Sequence, residues 1–143
     1  MAQASQKKIM SISSEKLWKT ILDYEKYPQF VENVHKVRII EKTPGLSKVE
    51  YAIELLGKEI FYVLEHDESK IPNKMTWKCV ESNILKSNEG FWEVKSIAVE
   101  QTEVNYQMAL EFKIMIPSFM LNGLVKSALP KVLENFEKQA IKL

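Results

Sequence analysis

Two histidines, one cysteine and five tyrosines are the residues of this chain best suited to proton or nucleophile chemistry. His66 lies on the apolar side of an alternating segment, beside Glu65 and Asp67. A general base or proton sensor there would be chemically reasonable, because imidazole titrates near neutrality. A surface or hydrogen-bonded structural histidine is the simpler account. His35 is distant in sequence, and two scattered histidines fall short of the three or four ligands zinc needs, so no metal site is expected. Cys79 has no partner for a disulfide and no histidine at a recognisable spacing, which makes it a buried, inert thiol. Ser13-Ser14 suits a helix cap rather than a nucleophile, since no Gly-x-Ser-x-Gly elbow is present. Neither a Gly-x-Gly-x-x-Gly run nor a P-loop occurs, so no nucleotide cofactor, and no cofactor of any kind, is expected. Tyr51, Tyr62, Tyr106 and Glu54 remain as polar groups able to act inside a cavity. No catalytic dyad can be named from them.

Binding is more legible than catalysis. Strand residues Tyr51, Ile53, Leu55, Trp77, Phe91, Tyr106, Met108 and Leu110 are candidates to line a ligand cavity. So are Phe119, Met120 and Leu124 from the start of the last helix. Filling an ordinary core is the simpler account of any one of them, and a pocket of the usual 300–1,000 Å³ or so has room for only a subset. The six methionines, Met108, Met115 and Met120 among them, suit an adaptable apolar site and an ordinary core equally well. The run Ile114–Leu121 is too short to span a bilayer. It could serve as a mobile lip and touch a membrane transiently. Asn122-Gly123 would weaken the helix start, as a gate requires.

The elements that must position these residues follow from periodicity. Gln6–Ile12 reads as a strand. Ser13 or Ser14 then caps a helix to about Asp23, with Leu17, Trp18, Ile21 and Leu22 on one face. Pro28 breaks this helix and opens a second short one carrying Phe30 and Val31. From Val34 the period changes to two, and six strands follow, separated by turns at Thr43-Pro44-Gly45, Gly57-Lys58 and Pro72-Asn73. Gly90, inside the strand Leu85–Lys95, suggests a bulge or bend. Val104, Tyr106, Met108, Leu110 and Phe112 form the cleanest alternation. Pro117 to Leu143 reads as one long amphipathic helix with Leu121, Val125, Ala128, Leu129, Val132, Phe136 and Ala140 as its stripe. Its first turns, Pro117 to Leu124, are the place for a gate, and Val125 to Phe136 are expected to be core. Seven antiparallel strands with one apolar face should curl around this helix, and a curved sheet wrapped on a helix readily leaves a cavity.

The chain has 143 residues, 45% of them hydrophobic and 27% charged, which fits one domain over residues 1–143. Twenty basic residues balance nineteen acidic ones, for a net charge of +1. That balance gives no electrostatic case for nucleic acid. The start of the chain is polar and no long apolar run occurs, so a cytoplasmic location is expected. Oligomeric state cannot be read from the sequence.

Several short motifs occur in a telling order. They are Leu17-Trp18, then Asp23-Tyr24-Glu25-Lys26-Tyr27-Pro28-Gln29-Phe30, then Gly90-Phe91-Trp92, then Ile116-Pro117-Ser118-Phe119, with Leu129-Pro130 and Leu133-Glu134 beyond. In this order the chain resembles the START-like, or helix-grip, superfamily, within it the polyketide cyclase/dehydrase and lipid transport branch, and is similar to coenzyme Q-binding proteins. The resemblance covers nearly the whole chain. It implies an α+β fold, β-α-α-β6-α, with a seven-stranded curved antiparallel sheet wrapped around a long C-terminal helix and two short helices. It also implies a hydrophobic small-molecule partner such as a lipid, quinone or polyketide, and non-catalytic binding or transport of that partner is the first expectation. Two other roles stay open. A cyclase or aromatase needs polar side chains deep in the cavity. An interaction protein resembling a ribosome-association toxin needs a basic or aromatic exterior patch and a small cavity.

Overall fold

The computed structural model describes residues 2–55 and 57–143. Strand β1 (Ala2–Met10) leads into helix α1 (Ser14–Leu22) and a 3₁₀ helix (Tyr24–Gln29). Strands β2 (Val34–Thr43), β3 (Leu46–Leu55), β4 (Lys58–Asp67), β5 (Lys74–Ser82), β6 (Leu85–Ala98) and β7 (Gln101–Phe112) follow, and helix α2 (Ser118–Ile141) closes the chain. The seven strands form one antiparallel sheet in the order β1-β7-β6-β5-β4-β3-β2. Strands β2 to β7 form a meander, as short turns dictate. The exception sets the geometry: β1 and β2 are neighbours in sequence yet occupy opposite edges. The α1 and 3₁₀ segment must therefore cross from one edge to the other.

Each element has a local cause. The Ser13 hydroxyl accepts from the Lys16 amide at 3.3 Å, capping α1 as its position suggested. Leu17, Trp18 and Ile21 are buried on one face, and the Trp18 indole donates to the Pro72 carbonyl at 2.8 Å. That bond fastens α1 to the β4–β5 turn. Pro28 sits within the 3₁₀ helix, whose buried residues are Tyr24 and Tyr27. The Tyr27 hydroxyl donates to the Ile21 carbonyl, tying the 3₁₀ helix back to the end of α1.

Strand β1 begins earlier than its apolar pattern suggests. It pairs with β7 from Ala2↔Leu110 to Met10↔Thr102. Its inward positions include Ala2 and Ala4, small side chains that fit close against α2 and leave little periodic signal. Ile12 lies beyond the strand, with its carbonyl accepting from the Thr102 hydroxyl at 2.7 Å. Along α2 the buried stripe is Leu121, Val125, Leu129, Leu133, Phe136 and Ala140. Leu133 joins the expected set one turn after Leu129, while Ala128 and Val132 lie half-buried at its border.

The interior has two apolar clusters. The larger holds Tyr51, Trp77, Trp92, Tyr106, Leu129, Leu133 and Phe136. The smaller holds Ala2, Leu110, Leu121 and Val125, beneath the first half of α2. Burying each large side chain contributes about 1.5–3 kcal/mol.

Candidate functional site: an aromatic cavity under the second half of the closing helix

Strand register decides which rings meet. Tyr51 lies opposite Tyr62, His66 opposite Trp77, and Trp92 opposite Tyr106. All six face inward, and they wall a cavity of about 170 Å³. Leu64, Asn88 and Met108 complete its sheet side. Val132 and Phe136 of α2 cover it, and Tyr27, Val31 and Val34 close one end. The rings pack in mixed geometries: Trp92 and Tyr106 meet edge to face with centroids 4.5 Å apart, Tyr27 and Phe136 do so at 5.2 Å, and Tyr51 and Tyr62 stack at 5.0 Å. Such pairs hold their geometry beyond simple area burial.

Gly90 makes this wall possible. A Cβ there would lie 2.1 Å from the Gln107 carbonyl oxygen and 2.5 Å from the Trp77 ring. The indole thus lies directly on the β6 backbone, which only a bare glycine allows. The expected bulge is absent here: the register irregularities of β6 fall at Leu85/Ser87 and Ser96/Ala98, and Gly90 pairs regularly with Met108 and Trp77.

The polar groups of the wall are few and specific. The Tyr51 hydroxyl and His66 Nε2 are 2.7 Å apart. His66 is only 4% exposed, and the Tyr24 ring stacks on it at 4.6 Å. Its Nδ1 is buried with no hydrogen-bond partner among the described residues. Burial lowers the His66 pKa to about 3, so the ring is neutral at physiological pH. Burial likewise raises the phenol pKa values of Tyr27, Tyr51, Tyr62 and Tyr106, which stay protonated. The Trp77 indole donates to Asn88 Oδ1 at 3.1 Å. Behind His66, the Tyr24 hydroxyl donates to Glu68 at 2.6 Å and the Ser47 hydroxyl donates to the same oxygen at 2.9 Å. Among the described residues, no three His, Cys, Asp or Glu side chains converge as a metal site would require.

Of the residues expected at the cavity, Tyr51, Trp77, Tyr106 and Met108 line it. Ile53 packs at the border of the larger cluster and Leu55 is half-buried at the end of β3; neither reaches the cavity. Phe91 faces away. It is one residue out of phase with Trp92 and lies on the outer sheet surface, with the Lys74 ammonium 4.4 Å from its ring. Leu110 points inward but packs in the smaller cluster. Phe119 and Met120 are 78% and 45% exposed, and Leu124 is half-buried. The α2 stripe enters the core only at Leu121, which leaves the preceding turn outside. Ile114 and Met115 are exposed as well.

None of the residues expected as a gate, Pro117–Leu124, lines the cavity. The half-buried Val31, Val34 and Val132 lie where the segment after the 3₁₀ helix meets α2, and Tyr62 and Met108 of the lining are half-buried as well. Phe30 meets Phe136 there at 5.1 Å, and Lys131 and Glu32 are paired at 3.2 Å from opposite sides. The later turns of α2, expected to be plain core, supply the cavity roof through Val132 and Phe136. Tyr27, Leu64, Asn88 and Trp92 line the cavity as well, beyond the residues expected there. Trp92 and Tyr27 carried a usable signal, since both sit in the ordered motifs. The apolar-face position of His66 is legible in the sequence, whereas its bond to Tyr51 is not. Cys79 is half-buried, with its thiol on the Glu81 carbonyl at 3.4 Å and its pKa pushed up by burial. Glu54 is exposed on the outer face beside His35, at 3.6 Å.

Residues 10–137 match the model of the polyketide cyclase/dehydrase and lipid transport family. The chain belongs to that family. Among curated proteins none matches it. Solved structures match this family member over nearly its whole length. A START superfamily protein from Mycobacterium smegmatis has a TM-score of 0.87 at 15% identity, covering 99% of each chain. The Zhui aromatase/cyclase of a Streptomyces has a TM-score of 0.85 at 14% identity, covering 98% of this chain and 93% of that one. A conserved protein from Geobacillus kaustophilus has a TM-score of 0.81 at 15% identity, covering 98% and 95%. At such identities the likeness shows the fold, a START-like helix-grip fold, and a shared fold does not fix a function.

Proposed function

We propose that this protein binds a small hydrophobic molecule in the aromatic cavity beneath the second half of α2. The observation that carries the proposal is the wall itself. Trp77, Trp92, Tyr106 and Phe136 surround an unfilled volume of about 170 Å³, where a protein interior would ordinarily be close-packed. This volume lies below the usual 300–1,000 Å³ or so of a drug-sized pocket. A ligand of one or two rings fits such a space. A longer ligand would keep its remainder between Val31 and Val132. Removal of apolar area from water, at roughly 25 cal/mol per Å², supplies the driving force against the cost of association.

A cyclase or aromatase is the second reading, favoured by the Tyr51, His66 and Asn88 side chains on the cavity wall. Acid–base cyclisation asks for a group that exchanges protons near neutral pH. His66 and the cavity phenols are all shifted away from that range by burial. Binding is therefore preferred.

Native mass spectrometry and organic extraction of protein purified from its own source test the proposal. A co-purifying apolar compound, with a raised melting temperature on re-addition, is expected. If several hydrophobic ligand classes leave the melting temperature unchanged, binding is the wrong reading.

A further inference from the structure

The polar groups of the cavity wall share one property, and it specifies a ligand chemistry. None of the lining residues is Lys, Arg, Asp or Glu. An ion taken into this wall would lose its hydration without meeting an opposite charge, at a cost of several kcal/mol. The ligand is therefore neutral. The remaining question is whether the wall offers it donors or acceptors.

Asn88 answers for its own position. Trp77 Nε1 carries a hydrogen and can only donate, so the Asn88 atom 3.1 Å away is the amide oxygen. The Asn88 NH₂ is left over, with no hydrogen bond among the described residues.

Tyr51 follows from His66, which has two neutral tautomers. If Tyr51 donated to Nε2, the proton would sit on Nδ1, and a buried N–H would have no acceptor. Orphaned buried N–H groups are rare, whereas a bare acceptor is better tolerated. A proton on Nε2, donated to the Tyr51 oxygen, leaves Nδ1 as a bare acceptor and puts the spare hydrogen on a hydroxyl that a ligand can reach. The Tyr51 hydroxyl hydrogen then has no protein acceptor, and the residue lines the cavity. His66 acts here as a positioning residue that turns the Tyr51 donor toward the ligand. The Tyr62 and Tyr106 hydroxyls, also on the wall, make no protein hydrogen bond among the described residues.

We propose that the cavity selects a neutral ring compound bearing a carbonyl oxygen, and that Tyr51, oriented by His66, donates the selecting hydrogen bond, with the Asn88 amide as a second donor. This rests on the binding function proposed above and narrows its ligand class.

Indane and indan-1-one, nearly equal in size and differing by the carbonyl, are the probes. Calorimetric titration should show both binding the wild-type protein. Tyr51→Phe should weaken indan-1-one roughly five- to tenfold and leave indane within about twofold, as expected for losing one neutral hydrogen bond. Two measurements on the wild type need no variant to fold. The carbonyl carbon of ¹³C-labelled indan-1-one should resonate downfield of its position in an alkane. Nitrogen NMR should place the His66 proton on Nε2. An alkane-like carbonyl, equal losses for both probes in Tyr51→Phe, or a proton on Nδ1 would overturn the donor assignment while leaving binding intact. Failure of both probes to bind would instead overturn the binding reading on which it rests.

Discussion

The Tyr51 hydroxyl and His66 Nε2 meet at 2.7 Å across adjacent strands, in a wall built mostly of aromatic and aliphatic side chains. The bond is local in three dimensions and invisible to periodicity, because it depends on the antiparallel register that sets Ser47 opposite His66 and Tyr51 opposite Tyr62. It also explains how an imidazole is tolerated in so dry a place: one nitrogen is paired, and the ring is neutral.

Neutral burial of His66 makes stability depend on pH. In the unfolded chain a histidine titrates near 6.5, whereas burial lowers the folded value to about 3. Between those values the unfolded state binds the extra proton, so stability falls as pH falls, by up to about 1.4 kcal/mol per pH unit. Above pH 7 this contribution is constant. Urea unfolding at pH 7.5 and 5.0 should show the wild type losing about 2 kcal/mol more than His66→Gln across that interval. Equal losses would mean that His66 titrates normally in the folded protein.

Two glycines should respond to alanine with opposite signs. At Gly90 the new Cβ would strike the Gln107 carbonyl and the Trp77 ring, so Gly90→Ala should destabilise by about 1–3 kcal/mol or more. At Gly123, a helical position, nothing lies within 4 Å, and Gly123→Ala should stabilise by about 0.5–1 kcal/mol. Thermal denaturation of both variants, followed by circular dichroism, is sufficient. A gain at Gly90 would contradict the indole-on-backbone packing.

Phe136 and Phe119 lie on one helix and should differ as sharply. Phe136 is 3% exposed and meets Tyr27, Phe30 and Trp92, so Phe136→Ala should cost about 3–5 kcal/mol. Phe119 is 78% exposed, and Phe119→Ala should stay within about 0.5 kcal/mol. Equilibrium denaturation compares them. Equal effects would mean that the roof of the cavity is misassigned.

These contrasts show where the sequence was informative. Alternation along β3, β4 and β7 named the inward faces that hold Tyr51, Tyr62 and Tyr106, because a half-buried strand must alternate. The ordered motifs located Tyr27 and Trp92 without showing what they touch. Phe91 was misplaced by one step of the same alternation: the regular pairing of Gly90 puts Trp92 inside and Phe91 outside. The helix start was misjudged for a different reason. Ile114 to Met120 is as apolar as a buried segment, but burial depends on the sheet reaching that far, and the sheet does not cover it. Which half of α2 roofs the cavity depends on long-range packing against Tyr27 and Trp92, which periodicity does not encode.

The most direct test of the cavity as the binding site uses the methionine methyls. Met108 lines the cavity, while Met115 is 98% exposed and Met120 45% exposed on the apolar turn outside it. With ¹³C-methyl methionine and indan-1-one as titrant, the Met108 resonance should shift saturably while Met115 and Met120 stay in place. Shifts confined to Met115 and Met120, with Met108 unmoved, would put the ligand on the exposed surface and contradict the cavity.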